Sequence, residues 1–340
     1  MTTTDPARTA AEVLNWSRDL VTPALRAAVT SLPASMRRIA GYHFGWWDAD
    51  GRAATGDSGK ALRPALVLLA ATAVGGTPET AVPAAVAVEL VHNFSLLHDD
   101  VMDNDIERRH RPTAWTVFGV PAAILAGDAL LTLAFDVLAA SGHPAAQDAM
   151  RALSAAVQDL VDGQSADTAF ERRSDVALAE CVRMAEHKTG ALIARSCELG
   201  ALFGAGTMAQ VDGLRSFGDR LGLAFQLVDD LLGIWGDRSV TGKPVYSDLR
   251  NRKKSLPVVA ALNSGTSAGA SLALLYHRDS PLSDEELVGA AELVELAGGR
   301  AWSQSRADSL FEEALGYLAS VSGVVDELAG LARLAVRRDH

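Results

Sequence analysis

Apolar residues recur at helical spacing along nearly the whole of this 340-residue chain, while the alternation that a half-buried strand needs is almost absent. That pattern restricts the fold to packed helices. Hydrophobic residues make up 49% of the chain but aromatics only 6%, so the core has to be built from Ala, Leu and Val, side chains that let helices pack closely. The period predicts helices near 10–31, 60–75, 80–104, 113–139, 144–164, 175–203, 208–236, 250–264, 283–297, 301–321 and 323–336. Turn chemistry separates them at 41–59, "GGTPET" (75–80), "SGHP" (141–144), "GDRSVTGKP" (236–244) and "NSGTSAGA" (263–270). No break is long or low in complexity and no repeat of 20–50 residues is evident, which predicts a single all-α domain over 1–340 with residues 1–10 frayed.

A net charge of -11 argues against nucleic acid or an anionic membrane as the main partner. Cys181 and Cys197 form no disulfide framework and suit a reducing, cytoplasmic setting. The first thirty residues lack a basic start followed by an apolar core, so no secretory signal is expected. The longest apolar stretches read as interrupted by charge or too short for a bilayer, so the chain reads as not an integral membrane protein.

Against this background, residues 90–113, "LVHNFSLLHDDVMDNDIERRHRPT", are unusual. Asp99, Asp100 and Asp103 follow an apolar helical run and are followed in turn by Arg108, Arg109 and Arg111. A partial echo, "LAFQLVDDLLGIWGD" (223–237), places Asp229 and Asp230 in a second apolar run, with Gln226 on the same helical side. Adjacent aspartates usually mark a solvated face or a cap, but these flanks leave little room for one, and buried carboxylates need neutralising. Oxygen ligands without Cys or His at zinc spacing select Mg2+ over zinc.

The cations complete the pattern. The chain has five lysines against twenty-six arginines: Lys60, Lys188, Lys243, Lys253 and Lys254, each beside a Gly, Thr or Pro signal. Such confinement suits point charges set against phosphate, the alternative being a composition biased to Arg with a few loop lysines left over. "GKALRP" (59–64) lacks the spacing of a P-loop.

Taken together, the two aspartate clusters, the double arginine and these lysines resemble the trans-isoprenyl diphosphate synthases, or polyprenyl synthetase family, from about Lys60 to Pro257. "DDVMD" followed by "RRHRPT" matches the family directly. The second motif departs from it: "DDLLG" has Gly233 where a last aspartate is expected, with Asp237 one further turn along. The resemblance implies a helical bundle around a central cavity, and a homodimer. It implies that Asp99, Asp103 and Asp229, with Asp100 and Asp230, hold Mg2+ against an allylic diphosphate, and that Arg108, Lys188, Thr189, Gln226, Lys243 and Lys253 complete that pocket. Lys60, Arg63, His92 and Arg109 would bind isopentenyl diphosphate, although a lone histidine in an apolar helix is more often a satisfied core residue. Phe94 and Ser95, five and four places before Asp99, would set product length, favouring geranylgeranyl diphosphate (C20) with farnesyl diphosphate (C15) second.

Other readings remain open on the sequence. Glu89 with His92 and Glu107 with His110 have the spacing of a di-iron bundle. A class I terpene cyclase would share the metal–diphosphate logic without a second diphosphate site. Gly233 also leaves room for a non-catalytic subunit of a hetero-oligomeric synthase.

Overall fold

The computed structural model describes residues 7–54, 56, 59, 61–236, 245–278, 280–319, 321 and 325–337. Two compact units emerge from it: residues 1–157, 195–215 and 318–331 form the first, and 158–194, 216–317 and 332–340 the second.

In the first unit, α1 (Ala10–Thr30) opens with a capping box in which the Thr9 hydroxyl accepts from the Glu12 N–H and the Glu12 carboxylate accepts from the Thr9 N–H. Arg8 donates from its backbone and guanidinium to Glu327 at 2.7–2.9 Å. The fraying expected over 1–10 therefore does not extend to Arg8–Ala10. A second helix, α2 (Ala34–His43), stands where no helix is expected between 31 and 60, and its last three residues fall in the stretch read as turn chemistry at 41–59. Pro33 starts the helix, and Gly41 leaves the space that the Trp47 ring occupies, 1.9 Å from where a Cβ would stand.

Next come α3 (Leu62–Ala73), a 3₁₀ turn at Pro78–Ala81 and α4 (Val82–Met102). A two-residue hairpin, β1 (Glu107–Arg108) against β2 (Arg111–Pro112), is the only sheet among the described residues. The single helix expected over 113–139 is two, α5 (Ala114–Phe118) and α6 (Val120–Ala140), because Gly119 takes φ +88° between them.

One expectation is overturned here. Pro78–Met102 and Val120–Ala140 are each long and apolar enough to cross a bilayer by length and composition, with mean hydropathies of 1.4 and 1.8. Helix α4 uses its apolarity inside the unit, where its first three turns are almost wholly buried, and it carries Glu89, His92, His98, Asp99 and Asp100 toward its end. Helix α6 lies along α4 and turns Asp128 and Asp136 outward.

Helices α7 (Ala146–Phe170), α9 (Ala191–Phe203) and α10 (Met208–Trp235) have residues in both units. Wholly in the second unit is α8 (Leu178–Ala185), followed by a π-helical turn at Glu186–Gly190, so 175–203 is not one regular helix. The helix expected over 250–264 is likewise two short ones, α11 (Ser247–Arg250) and α12 (Leu256–Leu262). The bend between them is closed by the Lys253 N–H donating to the Asp248 carbonyl at 2.8 Å. Residues read as a loop at 263–270 instead start α13 (Ser267–Tyr276), whose N-terminus the Thr266 hydroxyl caps. Then come α14 (Asp284–Leu296), α15 (Gly299–Leu318) and α16 (Asp326–Val336), the last two with residues in both units. Leu249, Val258, Leu272, Leu287 and Val294 pack as one cluster behind the bend and fix its position.

Candidate active site

In the first unit α4 ends at Met102, and Asp103 caps it, its N–H donating to the Asp99 carbonyl at 2.8 Å. Asp99 and Asp103 are therefore one turn apart at a helix end. Asp100 points inward and is 1% exposed; Arg108 Nε donates to its Oδ1 at 2.6 Å, while its Oδ2 is buried without a hydrogen bond. Burial pushes the Asp100 carboxyl up to about 6, with Arg108 opposing the rise. The hairpin places that guanidinium: Arg109 and His110, the two loop residues, both take positive φ (52° and 59°), the backbone of a type I′ turn normally given to Asn or Gly. Left-handed backbone at two such side chains costs roughly 1–2 kcal/mol each, the kind of strain that collects at functional sites.

Behind this turn His92 lies on α4, with Arg63 Nη1 3.4 Å from its Nε2. Burial holds the His92 imidazole well below its usual value, and Arg63, Arg109, Arg108 and His43 push it the same way, so the ring is neutral. His43 is likewise lowered to about 3 by burial and by Arg109 and Arg108. Gly59 takes φ +87°, a backbone that favours glycine, and a Cβ there would lie 2.6 Å from Arg109 Nη2, so a side chain would have to displace the guanidinium. Three arginines thus bring positive charge beside two neutral histidines, and clustered guanidinium charge is the setting a diphosphate requires.

In the second unit a chain of hydrogen bonds runs from the π-helical turn to α10 and on to α12. Thr189 Oγ1 donates to Gln226 Oε1 (2.6 Å), Gln226 Nε2 to Asp230 Oδ1 (2.7 Å), and the Leu256 N–H to Asp230 Oδ2 (2.8 Å). Both Asp230 oxygens are therefore engaged, and burial lifts its carboxyl to about 7, with Lys253 opposing. Asp229, next to it, is exposed. Lys188 Nζ donates to Asp167 at 2.6 Å. Burial works to lower the Lys253 ammonium, but Asp248, Asp230, Asp167 and Asp229 together raise it above its ordinary value.

Each unit offers carboxylates, and no three His, Cys, Asp or Glu among the described residues converge to enclose an ion. In the second unit Asp167, Asp229, Asp230 and Asp248 outnumber Lys188 and Lys253 among the described residues. An all-oxygen donor set with surplus negative charge and no closed cage fits Mg2+, which usually takes one or two carboxylates and completes its shell with water and substrate phosphate.

Residues 48–293 match the polyprenyl synthetase family. The chain belongs to that family. It is 49% identical over 333 residues to a (2E,6E)-farnesyl diphosphate synthase of Mycobacterium tuberculosis, covering 96% of this chain and 92% of the relative. A geranylgeranyl diphosphate synthase of the same organism is 45% identical, covering 98% and 95%. The crystal structure of a polyprenyl synthetase from Streptomyces coelicolor superposes with a TM-score of 0.92 at 49% identity, covering 96% of this chain and 99% of that one. A geranylgeranyl pyrophosphate synthase from Corynebacterium glutamicum, solved with isoprenyl diphosphate and magnesium, superposes at 0.82 with 27% identity, covering 98% and 100%. The chain is a trans-isoprenyl diphosphate synthase of all-α fold.

Within this polyprenyl synthetase, Arg63 is brought to His92, Arg108 to Asp100, and Thr189 to Gln226 and Asp230. Lys60, Lys243 and Asp237 lie outside the described residues. The view that every lysine is set against phosphate fails at Lys254, whose ammonium lies 5.2 Å from the Tyr276 ring centroid and whose carbonyl accepts from the buried Cys181 thiol. Nor do Glu107 and His110 form half of a di-iron site: they are 59% and 72% exposed on the hairpin. The sequence reading missed Asp167, His43 and Asp248. Asp167 lies in the last turn of α7 in "DGQSADTAF" without an adjacent acid, and only the fold brings it to Lys188. Asp248 explains Gly233: a Cβ at 233 would stand 2.4 Å from Asp248 Oδ2 and 2.6 Å from its Cγ. The missing third aspartate of the second motif therefore leaves no gap, because another carboxylate occupies the space beside it.

Proposed function

We propose that the enzyme condenses isopentenyl diphosphate with allylic diphosphates in the presence of Mg2+, giving mainly geranylgeranyl diphosphate, with farnesyl diphosphate second. Supporting this are the neutral His92 beside Arg63 in one unit and the Thr189–Gln226–Asp230 chain beside Lys188 and Lys253 in the other, which suit two distinct diphosphate groups. Arg63, His92 and Arg109 would bind isopentenyl diphosphate, with Lys60 assigned to that site on the sequence alone. Arg108, Lys188, Thr189, Gln226 and Lys253 would orient the allylic diphosphate, with Lys243 assigned likewise. Asp99 and Asp103 in one unit and Asp229 in the other would hold Mg2+, while Asp100 and Asp230 would act from behind. What Mg2+ supplies when bound is neutralisation of the charge building on the leaving diphosphate. The allylic C–O bond breaks with its electron pair going to diphosphate, the double bond of isopentenyl diphosphate attacks the cation, and a proton leaves to the departing diphosphate. The donors are fixed before the charge develops, which is where most of the stabilisation arises.

The single observation behind the product length is Phe94, buried one turn and a little before Asp99, beside a small Ser95 whose hydroxyl donates to the His92 carbonyl. The two Mycobacterium relatives bracket the same C15–C20 range. Pure protein would be incubated with isopentenyl diphosphate and C5, C10 or C15 primers, and products sized by chromatography. Ser95→Phe should shift products toward C15 and Phe94→Ala should lengthen them; if neither does, the length assignment falls. We also assign a cytoplasmic homodimer, for which α6 offers exposed Val120 and Leu125 beside Val117 of α5. Sedimentation of Leu125→Glu as a monomer would support that surface, and an unchanged dimer would remove it.

A further inference from the structure

Helix α6 contains a glycine that its backbone does not require. Gly127 sits in the middle of Val120–Ala140 and is not among the residues with positive φ. Alanine there would be the better helix former. The reason for glycine lies opposite, on α4: a Cβ at 127 would stand 2.4 Å from both Cδ2 and Nε2 of His98. The imidazole occupies the place where a side chain would be. Its Nε2 lies 3.0 Å from the Ile124 carbonyl, one turn before Gly127, and 3.6 Å from Asp128 Oδ1. Ile124 O is an acceptor only, so the ring donates from Nε2, and it is fixed edge and face against α6.

His98 in turn holds Phe94. The two rings, one helical turn apart on α4, meet edge to face at 4.8 Å with an interplanar angle of 67°. Phe94 is the residue to which the proposed function gives control of product length, and this inference rests on that reading. We propose that Gly127 is a positioning residue for product length: by leaving room for the His98 ring against α6, it holds Phe94 in the one orientation that stops the growing prenyl chain. A methyl at 127 forces the ring off the Ile124 carbonyl and withdraws the edge that Phe94 packs against. Phe94 then gains rotamer freedom, and the stop loosens toward longer products.

The test is a double-mutant cycle on the full-length enzyme, comparing the parent, Gly127→Ala, His98→Ala and the pair. Each is incubated with isopentenyl diphosphate and a C10 or C15 primer, and the ratio of products of C20 and longer to C15 is measured. Gly127→Ala should raise that ratio about threefold or more, the scale of one lost aromatic contact. His98→Ala should raise it as well. In the His98→Ala background Gly127→Ala should change it by less than about 1.5-fold, because the added methyl then meets no ring. A purely structural role for Gly127 would lower turnover and leave the ratio alone. The proposal is overturned if Gly127→Ala leaves the parent ratio within about 1.5-fold, or if the shift persists at full size without His98. Should Gly127→Ala fail to fold, His98→Ala alone decides, since it creates space and no clash; an unchanged ratio there overturns the proposal. If the parent itself makes no prenyl diphosphate, the proposed function fails instead, a result distinct from an active parent with an unmoved ratio.

Discussion

In both acidic pairs the second aspartate is buried and the first less so, Asp229 exposed and Asp99 half-buried, but different partners hold the buried one. Asp100 receives a guanidinium from Arg108, eight residues on, through a hairpin with a strained turn. Asp230 receives the Gln226 amide from its own helix and the N–H of Leu256, twenty-six residues on, at the start of α12. The first pair is therefore a local device, in which a short stretch of chain supplies carboxylates, cations and the turn that aims them. The second is assembled from four separate elements: α7 with Asp167, the π-helical turn with Lys188 and Thr189, α10, and the bend before α12 with Lys253. Under the proposed function, doubling an aspartate in such a site would combine two jobs, one carboxylate placed to bind and one anchoring it.

This division of labour is broken most severely at the less buried residues. Asp99→Ala, Asp103→Ala and Asp229→Ala should each lower turnover by roughly 10²–10³-fold while the helical circular dichroism is retained. Near-normal turnover in any of them would remove that residue from the metal site.

The next effect in size separates a degenerate second motif from a rebuilt one. Gly233→Asp restores the family pattern in sequence but drives a carboxylate into Asp248, so turnover should fall by about tenfold, through displacement and like-charge repulsion. Asp248→Ala in the same chain should recover part of it. An increase on Gly233→Asp alone would show that the natural motif is defective.

A stability measurement sharpens the contrast within one pair. Asp230→Ala strands the buried Leu256 N–H and the Gln226 amide and should cost about 1–3 kcal/mol in urea unfolding. Asp229→Ala, one residue away on the exposed side, should cost under about 0.5 kcal/mol. Equal losses would mean that the two do not differ in role.

The smallest effect is in pH. Asp100 and Asp230 have folded values raised to about 6 and about 7 from an ordinary 3.8, so between about pH 4 and 7 the folded protein binds more protons than the unfolded. Their contribution to stability is therefore present at low pH and declines as pH rises through that window. Thermal melts of Asp230→Asn should show a flatter decline than the parent. Mg2+ with diphosphate should lower both carboxyls, and calorimetry at pH 6.5 in two buffers should record proton release. A pH profile unchanged by Asp230→Asn would remove this account.

The same local-versus-assembled contrast governs what can be read in the sequence. "DDVMD" with "RRHRPT" carries its chemistry within fifteen residues, and Asp99, Asp103, Arg108 and Arg109 are all readable there. The helices with strong period, α1, α4 and α10, are found close to their observed ends. What fails is where a single residue reverses its usual meaning: Pro33 starts a helix, Gly41 seats Trp47, and Gly119 divides a run whose apolar pattern continues on both sides. Asp167 and Asp248 were missed because neither has a local signal; each matters only through partners far along the chain. The apolarity of α4 read as too short a run because its charged residues cluster at one end, whereas the helix as a whole passes on length and composition.

The π-helical turn at Glu186–Gly190 has a consequence for any deletion in this region. It holds about one residue more than an α-helical turn, so the face presented by α8 is offset by roughly 100° from the one an unbroken helix would give. Removing any one residue between 186 and 190 would let the backbone close into regular α-helix with its hydrogen bonds intact. The same deletion would rotate Cys181 away from the Lys254 carbonyl relative to the helix that follows. A length change that the local backbone would welcome is thus one that the packing around it would not, and shortened relatives at this position should carry a compensating insertion elsewhere in the same stretch.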